Sequence, residues 1–462
     1  MIELRQSQNR NVQASTSWPQ RRLYRPFMYG ALAVALTLGF TTGAGMLMIP
    51  IFGPADGVTW HTHTQAHGVG QALGWAGLFV MGIAYHVVPR FRNFSMPVIW
   101  PQYLSLILIL VGVTLRYLGQ SFHTLAVSDW FMGVSTVLLM LGAVLFVALT
   151  GWTLLQTRAT HNRIELWILA ALGWLLVAVF IHVWIVWEMA SRGSPVASSR
   201  LGEAFAHAAL AGFVTLFVLG VSLRTLTNFL RLRKPFALWS WVSFASLNIG
   251  ILVYLVGKLA NLPDAWMVLA SLLAFLGVVV FILALRLFEP SGKRGPNVAR
   301  IYVRHEWFVR AAYGWLALWS LLEITRAAGN LFDTEMFEAT VASPSLHVLG
   351  IGFITMMIIG MACRMLPMFE GAFLPHHRLL DIVFVLLNVS VSLRLVFGLV
   401  HISTSNAALG TSGVMGLISI VLFAWVVRGV FKPSAREAYR TEMRKMSYAR
   451  VELVSSSRSS RT

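Results

Sequence analysis

The sequence predicts an all-α polytopic membrane protein of about twelve transmembrane helices, built as three parallel four-helix units. Three observations predict it. Hydrophobic residues make up 57% of the chain and charged residues only 12%, where soluble domains usually carry about 25% charged residues. Apolar runs of spanning length recur from one end to the other. A glycine-centred pattern returns three times at nearly constant spacing.

The apolar runs lie near 27–50, 64–88, 98–118, 130–155, 165–188, 204–223, 237–258, 265–287, 308–328, 345–366, 379–402 and 408–431. Each is long enough to cross about 30 Å of hydrocarbon as a helix, the form that satisfies all backbone polar groups internally. A buried soluble helix reaches this hydrophobicity singly, not a dozen times in succession. The reading is a basic N-terminal segment, 1–26, one membrane domain, 27–432, and a basic, partly disordered tail, 433–462. Within the domain the units run roughly 27–160, 161–300 and 301–432.

Basic residues orient the chain. With a cytoplasmic N-terminus, all but six of the 36 Lys and Arg fall on cytoplasmic segments such as "RRLYRP", "RLRKP" and "SGKRGPNVARIYVRH". The six on the other face are Arg116, Arg192, Arg200, Lys258, Arg326 and Arg394. Acidic residues divide evenly between the faces, as they do when only positive charge directs insertion. This places both termini in the cytoplasm of a bacterial inner membrane. The net charge of +18 then reflects that bias and anionic lipid, and calls for no nucleic acid. No cleavable signal peptide is evident. The lone Cys363 excludes an intramolecular disulfide, and no C-x-x-C-H haem attachment site occurs.

Three segments carry the repeat: "GWAGLFVMGIAYHVVPRF" (74–91), "GFVTLFVLGVSLRTLTNF" (212–229) and "GFITMMIIGMACRMLPMF" (352–369). Each has Gly, a second Gly eight later, then His86, Arg224 or Arg364, then Phe. Pro89 and Pro367 coincide, with Thr227 between them. The second glycines, Gly82, Gly220 and Gly360, stand 138 and 140 residues apart. Arg116, Tyr254 and Arg394 share one later offset, and Asn248 matches Asn388. All three segments cross in the same sense, so the repeat is parallel, unlike the inverted repeats of many transporters. Small residues here also serve close helix packing.

Thirteen histidines are present, and topology sorts them. His161, His305, His376 and His377 fall in cytoplasmic loops, His123 in an outer loop and His86 at a cytoplasmic helix end. The others gather at outer helix ends: His61, His63 and His67 on the second span, His182 on the fifth, His207 on the sixth, His347 on the tenth and His401 on the eleventh. His207 and His347 both precede their glycine by thirteen residues, and His67 precedes Gly82 by fifteen. Imidazoles repeated at one membrane depth are candidate metal ligands, although a lone histidine there can instead bond a backbone carbonyl. His61 and His63 stay open between interface residues and secondary ligands.

Twelve spans with histidines near the outer ends of the second, sixth and tenth resemble the haem-copper oxidase subunit I superfamily. His67-Gly68 resembles the start of that family's second helix, and "LHVLGIGFITMMIIGMACRMLPMF" its tenth. The resemblance implies a low-spin, bis-histidine haem b between His67 and His347, with His207 in the position of a copper ligand. Two departures matter. Ser345 stands where the high-spin haem ligand is expected, and the seventh span, "ALWSWVSFASLNIGILVYLVGK", has no histidine. Copper at His207 would therefore need His182, His63 or His61. The nearer resemblance is to the NnrS-like branch of haem-containing membrane proteins, which implies electron transfer or nitric oxide handling in denitrification rather than oxygen reduction. A c-type cytochrome, a quinol or a copper protein would then donate electrons. The competing readings are a divergent oxidase or nitric oxide reductase subunit and a transporter with metal-binding histidines.

Other polar groups follow from position. Arg116 and Arg394 are candidates for haem propionates, the alternative for Arg116 being to snorkel to headgroups. Glu323 and Arg326, three apart, are placed for a local ion pair. Glu188 reads as a partner to a metal ligand or an interfacial residue. Arg224 and Arg364 read as cytoplasmic anchors.

Overall fold

The computed structural model describes residues 22–53, 56–92, 94, 96, 98–156, 163–290, 304–331, 335–400, 404–442 and 444. His161 and His401, much of the basic loop before residue 304 and the ends of the chain lie outside them. Among the described residues there is no strand. The main helices are α1 Tyr24–Phe52, α2 Gly57–Phe91, α3 Trp100–Ser121, α4 Ser128–Leu155, α5 Arg163–Arg192 and α6 Ser199–Phe229. They continue with α7 Ala237–Leu259, α8 Ala265–Leu285, α9 His305–Leu331, α10 Thr340–Glu370, α11 His377–Leu399 and α12 Ser405–Phe431.

Eleven of these are long and apolar enough to cross a membrane, which makes the chain a multi-pass helical membrane protein. The exception is α9. It has the length, 27 residues, but Glu306, Arg310, Glu323 and Arg326 dilute its apolar character. The helix starts and stops follow local chemistry. Asp56 caps α2 by accepting from the Thr59 N–H at 2.8 Å, which satisfies one of the free donors at a helix start. Gly371, at φ +56°, ends α10 in the left-handed conformation that glycine adopts without strain. The basic tail begins with helix over 433–442.

Neighbouring helices pair as α1–α2, α3–α4, α5–α6, α7–α8, α9–α10 and α11–α12. The pairs join into a closed ring, because α2 packs on α3, α4 on α5, α6 on α7, α8 on α9, α10 on α11 and α12 on α1. Inside the ring stand α2, α6 and α10. Their central stretches touch, and the Trp75 Nε1–H of α2 donates to Thr355 Oγ1 of α10 at 3.1 Å. Helix α2 is accordingly 94% buried along its apolar window, whereas α11 is 22% buried. Large apolar side chains such as Val137, Leu252 and Val385 point outward, as a lipid-facing surface requires.

The glycines at the shared offsets make equivalent contacts. A Cβ on Gly82 would lie 2.6 Å from the Cβ of Phe27, one on Gly220 2.5 Å from that of Trp167, and one on Gly360 2.6 Å from that of Phe308. Each inner helix therefore meets its partner, α1, α5 or α9, at a distance only glycine permits. The same three helices each contain a π-helical stretch, Gly70–Gly77, His207–Thr215 and Val348–Thr355. All three stretches end five residues before those glycines. A fourth π stretch, Ala35–Gly39, lies in α1. Asn248 and Asn388 also behave alike, each accepting from an indole N–H (Trp174, Trp315) at 2.9 Å.

Candidate functional site

The π stretch in α1 creates the first element of the site. Wide turns disturb the regular i to i−4 ladder and leave carbonyls available to other donors. The Gly39 carbonyl is one of them, and it accepts a hydrogen bond from His67 Nδ1 at 3.0 Å. A carbonyl can only accept, so the proton sits on Nδ1 and Nε2 keeps its lone pair. His347 is fixed in the same tautomer by its own helix, with Nδ1 donating to the Ser343 carbonyl at 2.7 Å. Both imidazoles thus offer an unprotonated Nε2, the orientation in which histidine binds a metal.

The two rings belong to helices far apart in sequence, yet His347 interacts electrostatically with His67, and Arg394 of α11 acts on both. Arg394 donates from Nη2 to Ser343 Oγ at 3.3 Å, while its Nη1 is buried with no hydrogen-bond partner. His67 and His347 are both half-buried. Gly43 of α1 packs against the first of them, since a Cβ there would approach His67 Cε1 to 3.0 Å.

The other candidate ligands go elsewhere. His182 is buried in α5 and its Nε2 accepts from Arg116 Nε at 3.1 Å. Arg116 also donates to Gln120 Oε1 and to Met132 Sδ. Gln120 in turn reaches Gln65 Oε1 at 2.7 Å and the Pro195 carbonyl at 3.0 Å. At 1% exposure Arg116 does not snorkel, and the arginine that acts on His67 and His347 is Arg394. His207 lies face to face on Tyr254, ring centroids 3.9 Å apart. His63 bonds the Thr59 carbonyl at 2.9 Å and faces Tyr117 and Phe122, while His61 is exposed. His63, His182 and His207 therefore have separate surroundings. Among the described residues no three of His, Cys, Asp and Glu converge as a metal set.

Several smaller expectations resolve as well. Glu323 and Arg326 do pair, at 3.2 Å. Glu188 accepts from the Ser198 N–H at 3.2 Å and hydroxyl at 2.9 Å, so it secures the turn into α6. His305 is buried at the start of α9 rather than solvated. His86 is buried as well, packed on Phe369 with centroids 3.9 Å apart. Arg224 and Arg364 stack over Phe91 and Phe229 at 4.6 and 5.1 Å.

Gly39 and Gly43 had no sequence signal, because their part is played by a backbone carbonyl and by the absence of a side chain; Ser343 acts through its carbonyl and a hydroxyl that nothing in the sequence singles out. Glu203, which pairs with both Arg326 and Lys258, is legible, like Lys258, only as a charge near a span end.

Residues 306–431 match the model of a family described as a domain of unknown function (DUF8744). That stretch runs from the start of α9 to the end of α12. No curated protein matches the chain.

Proposed function

We propose that this chain is a haem b protein of a bacterial inner membrane, holding one low-spin haem between His67 and His347. The observation that carries the proposal is the matched state of two imidazoles from different helices. Each has Nδ1 bound to a backbone carbonyl and Nε2 left as a lone-pair donor, with one arginine acting on both. The chain's own residues fit such a group in a further respect. Buried Arg394 Nη1 lacks a partner, and a propionate carboxylate is the anion a guanidinium binds best. Bound there, a haem with two histidine ligands supplies one-electron transfer and has no open coordination position. Transfer in a route that handles nitric oxide is the role most in keeping with the resemblance to NnrS-like proteins. A quinol, c-type cytochrome or copper protein is then the electron donor.

The same reading takes the fold as three parallel four-helix units with both termini cytoplasmic, in the manner of the haem-copper oxidase subunit I superfamily. The equivalent glycine contacts, the π stretches at one offset and the closed ring support it. So does a family match that coincides with one such unit.

Purification with an absorption spectrum and iron analysis tests the proposal. The expected result is a Soret band with a sharp reduced α-band and one iron per chain, lost in both His67→Ala and His347→Ala. Full haem content in either variant would remove that residue from the site, and no Soret band in the native protein would end the proposal.

A further inference from the structure

Among the described residues Arg116 of α3 is the most deeply enclosed cation, at 1% exposure. A guanidinium keeps its charge at any pH a protein meets, and inside a membrane protein that charge is costly unless a counter-charge meets it. Two other buried arginines obey the rule. Arg92 is met by Glu165 at 2.6 Å, and Arg326 by Glu323 at 3.2 Å. Arg116 departs from it. No carboxylate among the described residues pairs with it or acts on it electrostatically.

Its partners are all neutral. Nε donates to His182 Nε2 at 3.1 Å, and Nη1 donates to Gln120 Oε1 and, at 3.4 Å, to Met132 Sδ. Because His182 accepts at Nε2, its proton sits on Nδ1 and the ring is uncharged. The group therefore carries one whole positive charge. It also holds unused donors. The two N–H groups of Arg116 Nη2 and the Nδ1–H of His182 have no acceptor among the described residues. His182 is likewise 1% exposed. Surplus charge and surplus donors on one buried pair call for the same thing, an anion that accepts hydrogen bonds.

The cover over this pair is built from amides. Gln120 Nε2 donates to Gln65 Oε1 at 2.7 Å and to the Pro195 carbonyl at 3.0 Å. Gln65 and Ala197 exchange two bonds, each of 2.9 Å, through the Gln65 side chain and the Ala197 backbone. These bonds tie α2 and α3 to the turn over 193–198 between α5 and α6. Gln65 and Pro195 are half-buried, so neutral hydrogen bonds and no charged group stand between Arg116 and the outer surface.

We propose that Arg116 and His182 form a binding site for one small monovalent anion, a halide or a small oxyanion, admitted from the outer phase beneath the 193–198 turn. A single negative charge balances the guanidinium, whereas a dianion would leave the pocket charged again. Enclosure beneath the turn restricts the occupant to a few atoms. The site is separate from the haem reading, since Arg394 is the arginine that acts on His67 and His347.

Thermal unfolding tests it, with the purified protein held in sodium gluconate and titrated with sodium chloride, bromide or nitrate at constant ionic strength. The unfolding temperature rises and saturates with each small anion, as it does for a ligand that binds only the folded state, and does not rise with sulfate. Arg116→Gln abolishes the rise. His182→Phe removes one donor and raises the half-saturating concentration roughly tenfold, the loss of one charge-assisted hydrogen bond. Crystals of the native protein grown in bromide need no variant, and give an anomalous scattering peak in contact with Arg116 Nη2. A rise shared by all the salts, an undiminished rise in either folded variant, or no bromide peak at that atom overturns the proposal.

Discussion

Arg364 of α10 lies 5.1 Å over the ring of Phe229 in α6, and this contact is one side of a triangle. Arg224 of α6 lies 4.6 Å over Phe91 of α2, and His86 of α2 packs 3.9 Å from Phe369 of α10. Each cation or imidazole follows its glycine by four residues and each Phe by nine, so every inner helix contacts the next in the same way. Cation–π contacts are worth roughly 0.5–2 kcal/mol. In a double-mutant cycle read by thermal unfolding, Arg364→Ala and Phe229→Ala should show coupling in that range, and Arg364→Ala with Phe91→Ala none. Equal coupling in both cycles would refute the triangle.

The glycine seams give a prediction with built-in controls. Alanine at Gly82, Gly220 or Gly360 would bring Cβ atoms to 2.6, 2.5 and 2.6 Å, and overpacking of this kind costs about 1–3 kcal/mol. The three variants should lose stability by similar amounts. Gly68→Ala and Gly350→Ala, with nothing within 4 Å of the added carbon, should unfold at the native temperature. A graded or absent effect at the three seam positions would argue against equivalent packing.

Gly43→Ala is expected to act on His67 alone. The added Cβ meets the imidazole at 3.0 Å, so the ring must shift off its Gly39 bond while the fold persists. Absorption and circular dichroism together check this. A changed or weakened Soret band with native helicity is the expected result, and an unaltered spectrum would detach Gly43 from the site.

Arg116 and Arg394 should separate cleanly. Arg394→Met removes the guanidinium opposite the proposed propionate, and a charged hydrogen bond of about 1.5–3 kcal/mol corresponds to roughly ten- to hundredfold in haem affinity. Arg116→Met strands His182 and Gln120, so it should cost about 1–3 kcal/mol of stability per buried group left unpaired while haem content holds. Haem titration and thermal unfolding of both variants distinguish the roles. Equal haem loss from both would disprove the division.

Membrane spans were legible because each is an uninterrupted apolar run, and the shared glycine offsets were legible because close packing tolerates no other residue there. The long helix that falls short of a spanning helix's apolar character, α9, is the one that carries the buried Glu323–Arg326 pair. The grouping of histidines was harder to read. His67, His182, His207 and His347 have similar depths in the sequence, yet the first is fixed by a carbonyl of α1, the second by Arg116 and the third by Tyr254. Depth along a helix fixes one coordinate of a side chain; which neighbour it meets depends on rotation and lateral packing.

The sequence by itself determined that the chain is membrane-bound and helical, that its close-packed seams recur, and that several imidazoles stand near one height. Those properties are set by runs of residues along one chain direction. Only the tertiary structure decided that Arg394 rather than Arg116 acts on His67 and His347, and that a glutamate–arginine network fills the space beside His207. Both depend on contacts between helices hundreds of residues apart. There a π-helical turn or a missing Cβ selects the partner.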